Sequence, residues 1–351
     1  MNATNTTGGS VDITLRAMRL ALYPTVLLLG IVGNILVCSV ILHQRSRNGR
    51  PTTRYFVLNL AISDLLVLIM FIPFDLAYLE YEVWTFGLAM CKIINTISYA
   101  FVTISGTTLA AISMDRHRAI VYPMRQPFSA RAVTLIIVFM WVYAVLTLVP
   151  FAGSLRIFPD GQCLNDPAWW GSTQAFQLTY LFCGFFPGAV IPVCCISVSY
   201  LSIAHHLYCE HRRQLHEGII GSRTASQRMR QNLKTTRVLT ALVAVYAVCV
   251  LPHYIILALV FFDRANTEKL AFIVVSHEFT RLLMTANSCL NPIMYSVVSK
   301  EFRQRLKALF ASRKKAVSVN PVLHSPAVIR MELLSPALLM KQTRLRTSSF
   351  L

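Results

Sequence analysis

Seven stretches of mostly apolar residues run through this chain, near 20–42, 55–79, 91–121, 132–153, 176–206, 237–262 and 270–298. A helix needs roughly 20 such residues to cross the hydrocarbon core of a bilayer. The expected fold class is therefore an all-α membrane protein, a seven-transmembrane helix bundle. Composition agrees: 14% of residues are charged and mean hydropathy is +0.55, whereas soluble domains carry about a quarter charged residues. The third and seventh runs are interrupted by polar residues, which recur at helical spacing, as expected of helices lining a bundle interior.

The net charge of +18 could point to nucleic acid, but its location excludes that reading and no nucleic-acid partner is expected. Basic residues cluster after the first run (Arg45, Arg47, Arg50, Arg54), after the third (Arg116, Arg118, Arg125, Arg131) and after the fifth (Arg212, Arg213, Arg223, Arg228, Arg230, Lys234, Arg237). The alternate connections carry Glu80, Glu82, Asp160, Asp166, Asp263 and Glu268. Positive-inside sorting then places the N-terminus outside and the C-terminus inside, which requires an odd number of spans. No internal repeat or pair of broken helices stands out, which disfavours a transporter. Residues 1–12 are polar and do not read as a cleavable signal. They hold two N-x-[ST] acceptors, at Asn2 and Asn5, which fit glycosylation of an extracellular end. Most of the nine cysteines lie in apolar runs and read as packed thiols. Cys91 and Cys163 fall in connections, where a disulfide forms if they face the oxidising side.

Polar groups at membrane depth are costly and point to function. The first span contains Gly33-Asn34, the second Asn59-Leu60-Ala61-Ile62-Ser63-Asp64, and the third ends Asp115-Arg116-His117. Trp141 and Pro150 lie in the fourth, Pro192 and Tyr200 in the fifth, and Pro252 in the sixth. The seventh reads Asn287-Ser288-Cys289-Leu290-Asn291-Pro292-Ile293-Met294-Tyr295. In order and spacing, over roughly residues 20–312, this set resembles the signature of rhodopsin-like (class A) G-protein-coupled receptors. Cys91 lies 25 positions before Arg116, the family's spacing from its disulfide cysteine to this arginine, and the resemblance makes Cys163 its partner. It also implies a ligand-gated activator of heterotrimeric G proteins at the plasma membrane, with arrestin and receptor kinases as further partners. No bond-making chemistry is expected and no cofactor, apart from an allosteric sodium ion.

Asp64 in an apolar span must be protonated, paired or bound to a cation. By resemblance it marks a sodium pocket with Ser105, Asn287, Ser288 and Asn291, and Asn34 nearby; a hydrogen-bonded cluster without sodium is the alternative. Asp115, Arg116, Tyr200, Pro252, Pro292 and Tyr295 are implied as the activation switch. Arg116 pairs with Asp115 at rest in that scheme and turns toward Tyr200 and the G protein in the active state. Two positions depart from the family pattern. Val250 stands where a large tryptophan is usual, and Asn232 where an acid would face Arg116. The first puts the family's usual trigger step in doubt, and the second implies a loose resting state.

Ser98 replaces the aspartate by which related receptors pair with ligand amines, so a monoamine is disfavoured; Thr285 replaces the lysine of opsins. Aromatic and charged residues near the outer ends, including Tyr78, Trp169 and Trp170, suit a peptide. The expected ligand contacts are Asp75, Ser98, Tyr99, Val102, His253, Leu257, His277, Glu278 and Arg281. Arg281 reads either as acceptor of a ligand carboxylate or carbonyl, or as an ion-pair partner of Glu278 or Asp75. Ala286 to Pro292 resembles the somatostatin, opioid and galanin group of neuropeptide receptors. Leu251-Pro252-His253-Tyr254-Ile255-Ile256 is similar to the galanin and kisspeptin pattern, and without the amine-pairing aspartate the galanin, allatostatin and kisspeptin side fits better. A scavenging receptor that binds peptide without coupling and a transporter or channel are the competing classes.

The expected organisation is an extracellular tail (1–19), the bundle (20–299), a short amphipathic eighth helix on the membrane lipid (300–312) and a disordered cytoplasmic tail (313–351). In that eighth helix Phe302, Leu306, Leu309 and Phe310 share one face and bases the other. Ser318, Ser325, Ser335, Thr343, Thr347, Ser348 and Ser349 are candidate phosphosites or ordinary linker residues. The ending Ser349-Phe350-Leu351 fits a PDZ groove.

Overall fold

The structure, a computed structural model, describes residues 5–43, 51–216, 223–262 and 270–318. The first helix, α1 (Asn5–His43), starts well inside the polar leader. The second span is α2 (Pro51–Met70) followed by α3 (Ile72–Tyr81). Pro73 explains the break, since it offers no N–H to the carbonyl four residues back. The chain stays connected through Phe71 N–H to Val67 O and Asp75 N–H to Phe71 O, both 3.0 Å. The third span, α4 (Gly87–Val121), and the fourth, α5 (Ala130–Ser154), follow; Ser129 caps α5 by accepting the Ala132 N–H at 3.2 Å.

A two-stranded antiparallel hairpin comes next, β1 (Leu155–Ile157) and β2 (Cys163–Asn165), with Ile157 opposite Cys163. The fifth span is composite: α6 (Thr173–Thr179), a π-helical stretch Tyr180–Val190, and α7 (Ile191–His216). Pro187 lies inside the stretch and Pro192 just beyond it, and each removes a donor from the α-helical ladder. The wider turn accommodates those losses, and such bulges collect at functional sites. The remaining helices are α8 (Arg223–Phe262), α9 (Leu270–Val298) and α10 (Lys300–Ser318). α10 runs six residues past the expected boundary at 312.

α4 is the hub, packing against α2, α5, α7 and α8, while α1 lies against α2 and α9, and α9 against α8. Its buried Leu109 and Ile112 join Phe56, Leu60, Ile196, Leu242 and Met284 in one apolar cluster. Conversely, Leu28, Leu135, Phe139, Leu146 and Leu201 stand exposed. An apolar exterior of this kind is a liability in water and is what a hydrocarbon solvent requires. Among the described residues six helical segments are long and apolar enough to cross a membrane: 16–43, 52–81, 87–121, 130–154, 173–213 and 240–260. Segment 87–121 has the lowest hydropathy of these, and α9 is not among them. Those are the two spans whose polar residues interrupt the runs. The chain divides into a compact unit, Met1–Lys307, and a second, Ala308–Leu351, described only as the continuation of α10.

Candidate functional site

At the hairpin end of α4 the Cys91–Cys163 disulfide, with Cα atoms 5.9 Å apart, ties that helix to β2. Asn95, one turn on, donates to Cys91 O at 2.9 Å and reaches Cys163 Sγ at 3.1 Å. Trp84 N–H donates to Gly161 O at 2.8 Å, and its ring meets Tyr78 edge-on. The hairpin is thus held over a cavity of about 610 Å³, within the 300–1,000 Å³ usual for ligand pockets. Its lining includes the aromatic and apolar side chains of Tyr99, Phe151, Tyr180, Tyr254 and Leu257 together with Arg19, His277, Glu278 and Arg281.

Of the residues expected to contact ligand, Tyr99, Leu257, His277, Glu278 and Arg281 line this cavity. Asp75, Ser98, Val102 and His253 are buried and are not among its lining residues. Asp75 accepts an ion pair from Arg281 at 2.6 Å and a hydrogen bond from Tyr23 at 2.9 Å. Arg281 also rests over the Phe71 ring, 5.0 Å from its centroid. Glu278 pairs instead with Arg19 at 3.2 Å. Of the readings for Arg281, the structure therefore adopts the pair with Asp75. Ser98 donates to Asn95 O at 2.9 Å, and His253 meets Tyr99 Oη at 3.2 Å. Arg19, Tyr180, Tyr254 and Asn95 are cavity residues that sequence reasoning missed. Tyr254 alone had a signal, lying four residues from Val250 and eight from Tyr246 on one helical face.

Below the cavity Asp64 has no solvent exposure. Asn291 donates to its Oδ2 at 2.8 Å and Ser105 to its Oδ1 at 3.2 Å, and Ser63 meets Ser105 at 3.1 Å. Asn34 donates to the Ser288 carbonyl at 2.9 Å, joining α1 to α9. Asn287 Oδ1 and Asn291 Oδ1 are buried with no hydrogen-bond partner among the described residues. The Asp64 carboxylate with the Ser63 and Ser105 hydroxyls and the unpartnered Asn291 oxygen is an oxygen-rich set, the kind hard cations take. Asn59 completes the polar core, donating to Thr108 Oγ1 at 2.8 Å and accepting from Trp141 Nε1 at 2.9 Å.

At the far end of α4, roughly 37 Å from Cys91 at 1.5 Å per residue, Asp115 and Arg116 converge on Thr53 of α2. Thr53 Oγ1 donates to Asp115 at 2.7 Å, and Arg116 Nη2 bonds the same hydroxyl. Sequence reasoning missed this threonine. Tyr295, buried at its hydroxyl without a partner among the described residues, lies 6.1 Å from the Phe302 ring. Tyr200, Pro252 and Pro292 sit in α7, α8 and α9. The side chains of Asn232 and Asn5, residue Asn2, and tail positions after Ser318 lie outside the described residues.

The chain matches the family described as "7 transmembrane receptor (rhodopsin family)" over residues 33–295. The sequence belongs to that family, and the protein is accordingly a multi-pass membrane receptor rather than an enzyme. It is 31% identical to mouse galanin receptor type 2 over 298 residues, 82% of this chain and 75% of the relative. Against zebrafish galanin receptor 2b it is 33% identical over 296 residues (82% and 74%), and against human galanin receptor type 3, 30% over 301 (82% and 77%). The fold is similar to that of squid rhodopsin, with a TM-score of 0.70 at 20% identity, covering 90% of this chain and 93% of that one.

Proposed function

We propose that the chain is a plasma-membrane receptor for an extracellular neuropeptide, activating heterotrimeric G proteins when the peptide occupies the cavity under the hairpin. One observation carries the reading. The ligand-sized cavity and the Asp115-Arg116 and Pro292-Tyr295 motifs lie at opposite ends of the same helices, α4 and α9. A ligand that favours one packing of those helices shifts the population at both ends. The curated relatives are galanin receptors, so a galanin-type peptide is the first ligand to try. The hairpin end faces outward and the Arg116 end faces the cytoplasm, in keeping with the basic loops. Asp64 with Ser105, Asn287, Ser288 and Asn291 would hold a sodium ion, which would supply charge compensation for the buried carboxylate. Arrestin and receptor kinases engage the same cytoplasmic end, and anionic lipid holds the bases of α10.

Purified receptor in lipid nanodiscs, a panel of G proteins and a set of neuropeptides including galanin test the proposal. Peptide-dependent nucleotide exchange is the expected result. Saturable peptide binding with no exchange on any G protein would instead mark a non-coupling receptor.

A further inference from the structure

The outer turns of α1 present Arg16, Arg19 and Tyr23 on one helical face. Each meets a carboxylate on another helix: Arg16 Nε to Glu80 at 2.7 Å, Arg19 Nη1 to Glu278 at 3.2 Å, and Tyr23 Oη to Asp75 at 2.9 Å. The three acids are not equivalent. Asp75 has no exposure and is held from two sides, by Arg281 and by Tyr23. Glu80 is not among the residues lining the cavity. Glu278 lines it and keeps 26% of its side chain exposed. Its ion pair with Arg19 is also the longer one, at 3.2 Å against 2.6 Å for Arg281 and Asp75.

A half-buried carboxylate in a helix bundle is costly without a counter-charge. Arg19 supplies one from within the chain. It is itself a lining residue at the outer end of its helix, and its long stem lets the guanidinium swing toward water. The charges around the pair decide what can replace it. Two bases, Arg19 and Arg281, and two acids, Glu82 and Glu278, line the cavity, and buried Asp75 is the partner of Arg281. Another cation in place of Arg19 keeps Glu278 paired. An anion has to draw Arg19 off Glu278, leaving that acid alone where acids already exceed bases.

We propose that Glu278 is the subsite for a cationic group of the peptide, an ammonium or a guanidinium, and that Arg19 is its built-in occupant, which the ligand displaces. This rests on the peptide-receptor reading above and narrows it: the segment that enters the cavity carries a basic group. A neutral or acidic segment competes with Arg19 at a loss.

The test uses the full receptor in lipid nanodiscs and needs no G protein. Ethylguanidinium, the tip of an arginine side chain, is the probe, and N-ethylurea is its neutral isostere. Binding is read as a saturable rise in melting temperature. The wild type is expected to respond to ethylguanidinium and not to N-ethylurea. Arg19→Ala should respond at about fivefold lower concentration, the weight of one partly exposed ion pair in a competition. The double variant Arg19→Gln with Glu278→Gln leaves neither charge alone and should not respond; Glu278→Gln by itself serves if that double variant fails to fold. Peptides that bind are then compared with forms whose amino terminus is acetylated, or whose Lys and Arg are replaced by norleucine and citrulline. Removing the cation that occupies the subsite should weaken binding to the wild type about tenfold and leave binding to the double variant unchanged. Whichever form loses affinity tells a terminal ammonium from a side chain. A wild type indifferent to ethylguanidinium at every concentration, whether or not Arg19→Ala responds, would make the pair a fixed strut and overturn the proposal. So would equal weakening of both proteins when the peptide's cation is removed. Ethylguanidinium held at Glu278 by a receptor that binds no peptide upholds the cation subsite and counts against the peptide reading.

Discussion

Arg281 and Asp75 form an ion pair in which the carboxylate has no exposure and the arginine side chain 16%. Breaking a buried pair from one side leaves an uncompensated charge, at about 3–5 kcal/mol, a large part of the stability of a typical protein. Asp75→Asn and Arg281→Gln are each expected to lower the melting temperature sharply. The double variant should recover much of the loss, because it leaves no lone buried charge. Strict additivity in that cycle would mean that the pair contributes nothing jointly. Asp64 makes a different prediction. On the proposed sodium assignment, Asp64→Asn removes the one formal charge from the oxygen cluster, so any effect of sodium on basal exchange or agonist affinity should be lost; retained sodium sensitivity would overturn that assignment. The Asp64 cluster was legible in the sequence, because each member is a polar residue in an apolar run. The partner of Arg281 was legible only as a choice between two acids. Helical spacing offers Glu278 one turn away, and it is Arg19, on α1, that takes Glu278 out of reach. Thr53 gave no signal at all, since a hydroxyl beside a basic loop has many ordinary uses.

At the scale of elements, the hairpin is the piece most dependent on a single bond. Cys91 and Cys163 are separated by 72 positions, and a native crosslink over a long loop contributes about 2–5 kcal/mol. Cys91→Ala or Cys163→Ala should therefore lower the melting temperature, and should weaken peptide binding more than basal exchange, because the hairpin covers the cavity and not the opposite end. Equal losses in both would assign the disulfide to the bundle at large. The helices themselves were visible as apolar runs, and their irregularities were not. The hairpin is only six paired residues, too short to show an alternating pattern. The break at Phe71 and the π-helical stretch turn on where a proline-orphaned carbonyl finds a substitute donor. For Gly188 that donor is the Tyr246 hydroxyl, on another helix, beyond the reach of any local pattern.

For the whole molecule, the informative element is the one that least resembles a membrane span. α9 carries His277, Glu278, Arg281, Asn287 and Asn291 and is not among the six apolar segments, yet it packs against α1 and α8. A charged residue at the centre of an inserting helix costs about 2.5–3.5 kcal/mol. The bundle offsets that cost by giving the polar groups partners on other helices: Arg281 meets Asp75, Glu278 meets Arg19, Asn291 meets Asp64, and the Ser288 carbonyl meets Asn34. Insertion of α9 is therefore expected to depend on the helices before it. In a translocon assay, Leu270–Val298 placed in a neutral host should insert poorly, while Ala130–Ser154, with hydropathy 2.6, should insert almost fully. In the full chain, a glycosylation tag in the 263–269 connection and one after residue 318 should report opposite sides of the membrane. Adding Asp64→Leu and Asp75→Leu together should reduce that crossing, because two of the partners that α9 needs are gone. If isolated α9 inserted as well as Ala130–Ser154, its polar residues would be unnecessary to explain its place in the bundle, and the partner-dependent account would fail.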